Sequence, residues 1–187
     1  MPSCVAAFVA AWEPRTRGWF VAFCDHLLAP AWEAELAAAG RTTFAPLPFY
    51  SRGSRVRLAG DGPACWTTWI VVARPKALLR WGSLPGGYEA SGERGAAVVG
   101  AKPLSLMRAI IRDYSRPGDL VCDPCMGGGT TALAAYMEGR RFVGAECDPA
   151  TYAKARTRID AVLAQGELPL ARPAVEQQRL FAHGEKP

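Results

Sequence analysis

The sequence predicts an α/β protein, a Rossmann-like three-layer sandwich with a mostly parallel sheet and an antiparallel edge hairpin. The first observation is a strand, a Gly-rich turn, a helix and a strand in succession within residues 119–148, because parallel strands need such a crossover. The second is an apolar strand at 19–24 that leads directly into a helix. The third is a run of β-formers at 66–73, which can pair with residues 41–49 as a hairpin.

Apolar spacing and proline positions define the N-terminal elements. Apolar residues recur at helical spacing from Val5 to Trp12, and Pro14 ends that helix. A helix in this fold class normally follows a strand, so we expect a strand ahead of it. The strand at 19–24 ends on Asp25 and His26, which we expect on the ligand side of a parallel sheet. A lone histidine here is more often a local cap or a surface residue than a substrate contact.

Two prolines and a basic loop mark the next segment. Pro46 and Pro48 fall in the strand at 41–49, and a central strand does not tolerate two prolines, so this end lies at an edge or leaves the sheet. Residues 50–65 form a Gly-rich loop with three arginines. The three arginines could contact phosphates and base edges, or they could simply lie in a solvated surface loop. These residues are Arg52, Arg55 and Arg57.

An irregular stretch at 74–99 precedes the central unit, and a loop of that length is usually functional or disordered. Trp81 and Tyr88 could stack on a displaced base, or they could simply pack the loop. A helix follows, because Pro103 suits a first turn and the apolar residues from Leu104 to Tyr114 mark one buried face.

The central unit begins with a short apolar strand, Leu120–Cys122. Three glycines follow, where the backbone must turn sharply or lie against a ligand; they are Gly127, Gly128 and Gly129. Thr130 and Thr131 open a helix, and a second apolar strand, Phe142–Ala145, ends on Glu146. This order predicts a cofactor crevice beside the glycines.

Acidic side chains end both strands of the unit, Asp123 the first and Glu146 the second. Ligands of open α/β sheets bind at the carboxyl ends of the strands, and a carboxylate about 20 residues after a Gly-rich turn suits a ribose diol. No Lys-Ser/Thr pair follows the glycines, which excludes a P-loop. Asp148 then caps the last helix, with proline at its first position.

The composition of the chain limits which partners, metals and locations we expect. The formal net charge of +5 and the pI of about 9.0 favour an anionic partner only weakly. Cys122 and Cys125 form a C-x-x-C, but no second pair exists for zinc, so we interpret them as reduced packing or pocket residues and expect no metal. No signal peptide and no membrane-spanning run is evident, so we expect a cytoplasmic protein with no membrane partner.

The glycine segment resembles a known signature. Asp-Pro-Cys-Met-Gly-Gly-Gly-Thr-Thr is similar to Asp-Pro-Phe-x-Gly-Ser-Gly-Thr-Thr of the S-adenosylmethionine-dependent DNA amino-methyltransferases. Glu146-Cys147-Asp148 resembles that family's Glu-x-Asp step, and Lys102-Pro103-Leu104 its Lys-Pro-Leu element. The order of these elements matches the circularly permuted β-type arrangement. The alternative is an α/β crossover with no particular cofactor.

The resemblance implies a class I methyltransferase fold and S-adenosyl-L-methionine as the cofactor. It implies that Asp123 and the glycines face the cofactor's amino acid end and that Glu146 binds the ribose. The cofactor-binding residues that it implies are Lys102, Pro103, Asp123, Pro124, Cys125, Gly127, Gly128, Gly129, Thr130, Thr131, Glu146 and Asp148. It also implies double-stranded DNA as the partner, with Arg52, Arg55, Arg57 and Trp81 as candidate DNA contacts.

The family's catalytic tetrapeptide, Asp/Asn/Ser-Pro-Pro-Tyr/Phe/Trp, does not occur in this sequence. The nearest match is Leu47-Pro48-Phe49-Tyr50, which lacks the polar first residue, so the catalytic residues stay unknown, with Pro48, Phe49 and Tyr50 as weak candidates. In the family's fold the missing strand separates the strand at 120–123 from the one at 19–24. We therefore expect a hole in the sheet there, or an unusual direct pairing.

Three explanations fit the missing strand: an N-terminally truncated chain, a second polypeptide that supplies the strand, or a degenerate relative that still binds the cofactor. We expect a single methyltransferase domain at 1–165, and a loose tail at 166–187. Within the domain, 1–75 form the substrate-side half, 76–100 a short recognition loop and 101–165 the cofactor half. The expected activity is methylation of the exocyclic amine of adenine, or of cytosine, in DNA. The alternative is an inactive or split cofactor- and nucleic-acid-binding module.

Overall fold

The computed structural model describes residues 2–51, 65–91 and 100–164, with the side chains of residues 2 and 3 left out. Arg52, Arg55 and Arg57 lie outside the described residues. The helices are α1 (Pro2–Trp12), α2 (Ala29–Ala38), α3 (Leu104–Tyr114), α4 (Thr130–Met137) and α5 (Pro149–Ala164), with a 3₁₀ turn at Glu13–Arg15. The strands are β1 (Phe20–Cys24), β2 (Arg41–Thr43), β3 (Leu47–Tyr50), β4 (Thr67–Pro75), β5 (Tyr88–Glu89), β6 (Leu120–Asp123) and β7 (Arg141–Gly144).

The described strands form two sheets. The larger has the order β1-β4-β3-β5, with β2 also pairing β4, and the smaller is the parallel pair β6-β7. The predicted α/β class is confirmed, but the expectation of a mostly parallel sheet is wrong for these strands. The reason is that β4 lies between β1 and β3 rather than at an edge, so β1, β2 and β3 all run antiparallel to it.

Two local features differ from the sequence prediction. The strand expected at 41–49 is divided into β2 and β3, because the segment around Pro46 cannot continue the ladder with a missing N–H. The antiparallel pairing of this segment with β4 is as predicted. Within the stretch expected to be irregular, Tyr88 and Glu89 form β5, parallel to the end of β3.

Helices cover both faces of the larger sheet. On one face, α1 and α2 pack on β1 and β4 through buried residues that include Val5, Val9 and Leu36. On the opposite face, α3 packs against Ile70 and Val72 of β4. The three-layer arrangement predicted from the sequence is therefore present around this sheet. No helix among the described residues is long and apolar enough to cross a bilayer.

One buried arginine joins the N-terminal elements. Arg41 is only 4% exposed, and its Nε donates to Glu13 Oε1 at 3.1 Å. Its two terminal nitrogens donate to the carbonyl oxygens of Gly18, at 2.7 Å, and of Thr16. The charge is thus buried with a carboxylate and two carbonyls as partners, as a buried guanidinium requires.

The sheet is interrupted where the sequence analysis expected it to be. Among the described residues no strand pairing joins β1 to β6, and Leu120 of β6 is 56% exposed. The expected hole is therefore present, and the alternative of direct pairing does not occur. Helix α3 nevertheless contacts both sheets, because Ile110 packs with the larger sheet and Ile111 with Val121 of the smaller one.

Candidate cofactor and substrate site

A glycine loop joins β6 to α4 and forms the floor of the candidate site. Gly127 and Gly129 have φ values of +51° and +77°, which residues with a Cβ rarely adopt. The Met126 N–H donates to the Ala145 carbonyl at 2.9 Å, which fastens the loop to the end of β7. The loop is therefore held open by its backbone conformation and by the neighbouring strand.

The Asp123 side chain, at the end of β6, stabilises this loop through hydrogen bonds. Its Oδ1 accepts the Cys125 N–H at 3.0 Å, and its Oδ2 accepts the Thr131 hydroxyl at 2.5 Å. The carboxylate thus links the strand, the loop and the first turn of α4. Pro124 and Cys125 lie in the turn that it organises.

Glu146 stands opposite the loop, directly after β7. Its Oε2 accepts the Gly127 N–H at 3.0 Å, and its Oε1 accepts the Asp148 N–H at 3.0 Å. These contacts lower the pKa of Glu146, with the Asp148 N–H as the largest cause, so the group is a carboxylate at neutral pH. A carboxylate has about four lone-pair positions, so Glu146 can still accept hydrogen bonds from a ligand.

Asp148 caps α5, as predicted. Its Oδ2 accepts both the N–H of Thr151, at 2.9 Å, and its hydroxyl, at 2.6 Å. The same contacts lower the pKa of Asp148, with the Thr151 hydroxyl as the largest cause. Because the cap fixes where α5 begins, it also fixes the position of Glu146 two residues earlier.

Arg158 is a supporting residue that the sequence analysis missed. Its Nη1 donates to the Gly128 carbonyl at 3.1 Å and to the Thr130 hydroxyl at 3.1 Å. Thr130 is buried, so this arginine of α5 holds the glycine loop from behind. Helical spacing alone could not reveal it, because the contact spans 28 to 30 residues of sequence.

A second part of the site lies at the carboxyl end of β1. A cleft of about 260 Å³ opens there, lined by Phe23, Cys24, Asp25, His26, Cys65, Thr67, Thr68 and Lys102. Lys102 Nζ lies 5.2 Å from the centre of the Phe23 ring, a cation–π distance, and Pro103 is buried beside it at the start of α3. Burial, followed by the Asp25 and Glu33 charges, raises the pKa of the Cys24 thiol to about 11.

The structure places the predicted cofactor residues along one edge of the fold, but the three candidate catalytic residues lie in different surroundings. Phe49 is 4% exposed and packs in the core with Ile70, so its ring faces no solvent. Pro48 is exposed in β3, between strands β4 and β5. Tyr50 is 37% exposed as a residue, and its ring lies 5.9 Å from the Trp66 ring. Of the three, only Tyr50 presents an exposed aromatic ring.

Trp81 does not lie with the cofactor residues. Its Nε1 donates to the Asp113 carbonyl at 2.6 Å, near the C-terminus of α3, and the Arg116 guanidinium lies 4.0 Å from its ring centre. Tyr88, which also donates to Asp113, at 2.7 Å, is tied to the same helix end. Both rings contact protein at the end of α3 farthest from Lys102.

The cysteines of the C-x-x-C lie in different elements. Cys122 is exposed on the open face of β6, and Cys125 lies in the turn before the glycines. All described cysteines are free thiols. Burial is the largest cause of the raised pKa of Cys125, with the charges of Asp123 and Glu146 adding to it.

Comparison with known proteins points to one family. Residues 81–156 match the family described as DNA methylase, N6_N4_Mtase. Type II methyltransferase M1.MboII from Moraxella bovis is 53% identical over 47 residues, which are 25% of this chain and 17% of that protein. YubD from Escherichia coli (strain K12) is 30% identical over 94 residues, 49% of this chain and 40% of that protein. The matched part therefore spans less than half the length of either relative.

The fold has solved counterparts. The crystal structure of the M1.HpyAVI-SAM complex superposes with a TM-score of 0.71 at 23% identity, over 83% of this chain and 81% of that one. At this identity the likeness concerns the fold. The family match therefore concerns residues 81–156, and the structural likeness over most of the chain shows the class I methyltransferase fold.

Proposed function

We propose that this chain is the cofactor-binding and DNA-binding part of an S-adenosylmethionine-dependent DNA methyltransferase acting in the cytoplasm. Its target is the exocyclic amine of adenine, with cytosine as the alternative. The observation that carries the proposal is the glycine loop held between Asp123 and Glu146 at the ends of two parallel strands. The family match over residues 81–156 supports the same assignment.

The residues present fit this cofactor. A Cβ built on Gly127 would meet no atom within 4 Å, so the loop leaves open space where a ligand can approach the backbone. Glu146 retains acceptor capacity for the two hydroxyls of a ribose. When bound, S-adenosylmethionine would supply an activated methyl group. The chain itself would fix the cofactor's position through the glycine loop and Glu146.

Alignment is the main catalytic contribution that this geometry allows. Asp123 fixes the loop through Cys125 and Thr131, and Arg158 fixes it from α5, so the cofactor would meet a rigid floor. Such positioning can contribute about 7–11 kcal/mol to a bimolecular transfer. The target base would be rotated out of the duplex to reach the edge formed by β1 and β6.

The first experiment is calorimetric titration of the chain with S-adenosylmethionine, followed by incubation with duplex DNA. Nucleoside analysis of the product distinguishes N6-methyladenine from N4-methylcytosine. We expect Glu146→Ala to weaken cofactor binding, because it removes an acceptor of the ribose hydroxyls. The matched control is Asp160→Ala, which removes an exposed carboxylate of α5 that pairs with Arg156.

The outcomes separate the possibilities. Binding that Glu146→Ala weakens at least tenfold, with Asp160→Ala unchanged, supports the assigned site. Equal affinity in the wild type and Glu146→Ala would contradict the role of the acid. Binding without methyl transfer supports the split or inactive module, which the interrupted sheet favours.

The DNA contacts remain predictions. We propose that Arg55 and Arg57 bind phosphates of the duplex. Each arginine that is removed should then reduce the slope of log affinity against log salt by about 0.9. Alanine at both positions should therefore flatten the slope by nearly two. An unchanged slope would remove the loop from the DNA interface.

A further inference from the structure

The first turn of α4 is held from two sides through its two threonines. The Thr131 hydroxyl donates to Asp123, at the end of β6, at 2.5 Å. The neighbouring Thr130 hydroxyl instead accepts a hydrogen bond from Arg158 of α5, at 3.1 Å. Strand β6 and helix α5 therefore both determine where this turn lies, and with it the glycine loop that leads into the turn.

Arg158 also contacts the glycine loop itself. The nitrogen that contacts Thr130, Nη1, donates to the Gly128 carbonyl at 3.1 Å. Gly128 lies between two glycines with positive φ, so the contact fixes a peptide unit inside the sharpest part of the loop. Both acceptors are uncharged, so the contact depends on where the guanidinium lies rather than on an ion pair.

One face of α5 packs against the loop. A Cβ built on Gly129 would lie 3.1 Å from Ile159 Cδ1 and 3.4 Å from Ala155 Cβ. Ala155, Arg158 and Ile159 are spaced by three and four residues, so they are neighbours on the helix surface. This face combines an apolar contact with Gly129 and the polar contacts of Arg158, and it joins α5 to the loop.

The rest of α5 has little attachment to the protein. Ala155 is the one buried residue of this helix in the part of the chain that the structure describes. Tyr152 and Leu163, which are apolar enough to pack, are 40% and 47% exposed. Elements with few buried contacts open locally at a low cost in free energy. The docking of α5 therefore depends strongly on the face that contacts the loop.

We propose that Arg158 is a positioning residue of the cofactor site, which couples the docking of α5 to the ligand-binding conformation of the glycine loop. The inference rests on the proposed function, because it concerns the same site. Arg158 contacts the buried Thr130 and the Gly128 carbonyl, so it acts through the loop rather than on the ligand. If docking of α5 favours the ligand, the ligand must favour docking by the same factor.

This reciprocity predicts an effect of the cofactor on a helix behind the loop. Binding of S-adenosylmethionine to the full chain should slow hydrogen exchange at the amides of residues 155–162 by about threefold or more. Arg158→Ala should raise the Kd for the cofactor about tenfold, because hydrogen bonds from a charged donor are lost. In that variant the cofactor should no longer slow exchange in α5.

Two arginine variants of α5 serve as controls. Arg156 lies on the same helix, two positions earlier, and pairs with the exposed Asp160 at 2.9 Å. Arg156→Ala should leave both the Kd and the protection of α5 unchanged. Arg158→Lys retains a cationic donor, so its Kd should stay within about threefold of the wild-type value.

A measurement without cofactor tests the coupling separately from the proposed function. The amides of Met126 and Gly129 donate to carbonyls within the loop region, at 2.9 Å each. In the free protein, both should exchange about fivefold or more faster in Arg158→Ala than in Arg156→Ala. Urea denaturation of both variants provides the change in global stability, which is subtracted first. If the wild type fails to bind the cofactor in calorimetry, the proposed function fails while this result still tests the coupling.

Thr130→Val replaces Arg158→Ala if the latter does not fold, because it removes one acceptor and leaves the arginine in place. It should raise the Kd about threefold, and loop exchange should rise with it. The proposal is wrong if Arg158→Ala and Arg156→Ala bind the cofactor equally, or if the cofactor protects α5 equally in both. It is also wrong if Arg158→Lys loses as much affinity as Arg158→Ala, since the hydrogen bonds would then not be what matters.

Discussion

Replacing Gly129 with alanine tests the packing that positions the glycine loop. Gly129 has a φ of +77°, and a Cβ built there lies 3.1 Å from Ile159 Cδ1 and 3.4 Å from Ala155 Cβ. The left-handed conformation costs a non-glycine residue about 1–2 kcal/mol. Overpacking in a filled site costs about 1–3 kcal/mol. We therefore expect Gly129→Ala to lower the free energy of unfolding by roughly 2–5 kcal/mol.

A second glycine, Gly118, serves as a control that separates the conformational cost from the overpacking cost. Gly118 has a φ of +86°, and a Cβ there meets no atom within 4 Å. Gly118→Ala should therefore cost only the conformational part, about 1–2 kcal/mol. Ile159→Val removes the atom that the new methyl group approaches most closely. The double variant Gly129→Ala, Ile159→Val should be more stable than the sum of the single effects predicts, by about 0.5 kcal/mol or more.

Urea denaturation followed by tryptophan fluorescence measures all four variants, and calorimetry with S-adenosylmethionine reports the loop. Gly129→Ala should weaken cofactor binding, whereas Gly118→Ala should leave it unchanged. The reasoning fails if Gly129→Ala costs no more stability than Gly118→Ala. Strict additivity of Gly129→Ala and Ile159→Val would show that this contact does not limit the loop.

Three further predictions address other parts of the molecule. Because the pKa of Glu146 is lowered from 4.5, its stabilising contribution is present above pH 4.5 and is lost as the pH falls through the lowered pKa. Between about pH 5 and pH 3, the wild type should thus lose more stability than Glu146→Gln; parallel melting profiles would contradict this. Arg41→Ala should lower the free energy of unfolding by about 2–4 kcal/mol, because it removes a buried, fully paired charge. The surface variant Asp160→Ala should lower it by less than about 0.5 kcal/mol. Equal losses of stability in urea denaturation would refute the role of the buried network. Alkylation of Cys125 by iodoacetamide should have its pH midpoint above 9.0 and should slow when S-adenosylmethionine is present, as mass spectrometry can measure.

Local patterns predicted most elements because their signals depend on nearby residues. The apolar repeat of α3, the glycines before α4 and the proline after Asp148 each constrain only a few neighbouring residues, and each element lies where these signals place it. The helix cap at Asp148 was likewise predictable from residue type alone. The same holds for the interruption between β1 and β6, which followed from a motif that the sequence lacks.

Pairing between distant segments was predicted less well. Sequence order does not show which strand lies in the middle of a sheet, so the central position of β4 and its antiparallel pairing with β1 were missed. Trp81 is an example for side chains: an aromatic residue in a long stretch without regular structure contacts Arg116 and Asp113. Such contacts depend on how the chain folds back, which residue spacing does not encode.

The sequence by itself determined the local structure of the candidate cofactor site, from Lys102 to Asp148, because the glycine loop and its acids are adjacent in the chain or separated by one crossover. Only the tertiary structure decided how this segment is supported. Arg158 reaches the loop from α5, and α3 packs against both sheets where no described strand pairing joins β1 to β6. The physical reason is that hydrogen bonds and buried faces are satisfied across long sequence distances, so a supporting contact such as that of Arg158 is visible only once the chain is folded.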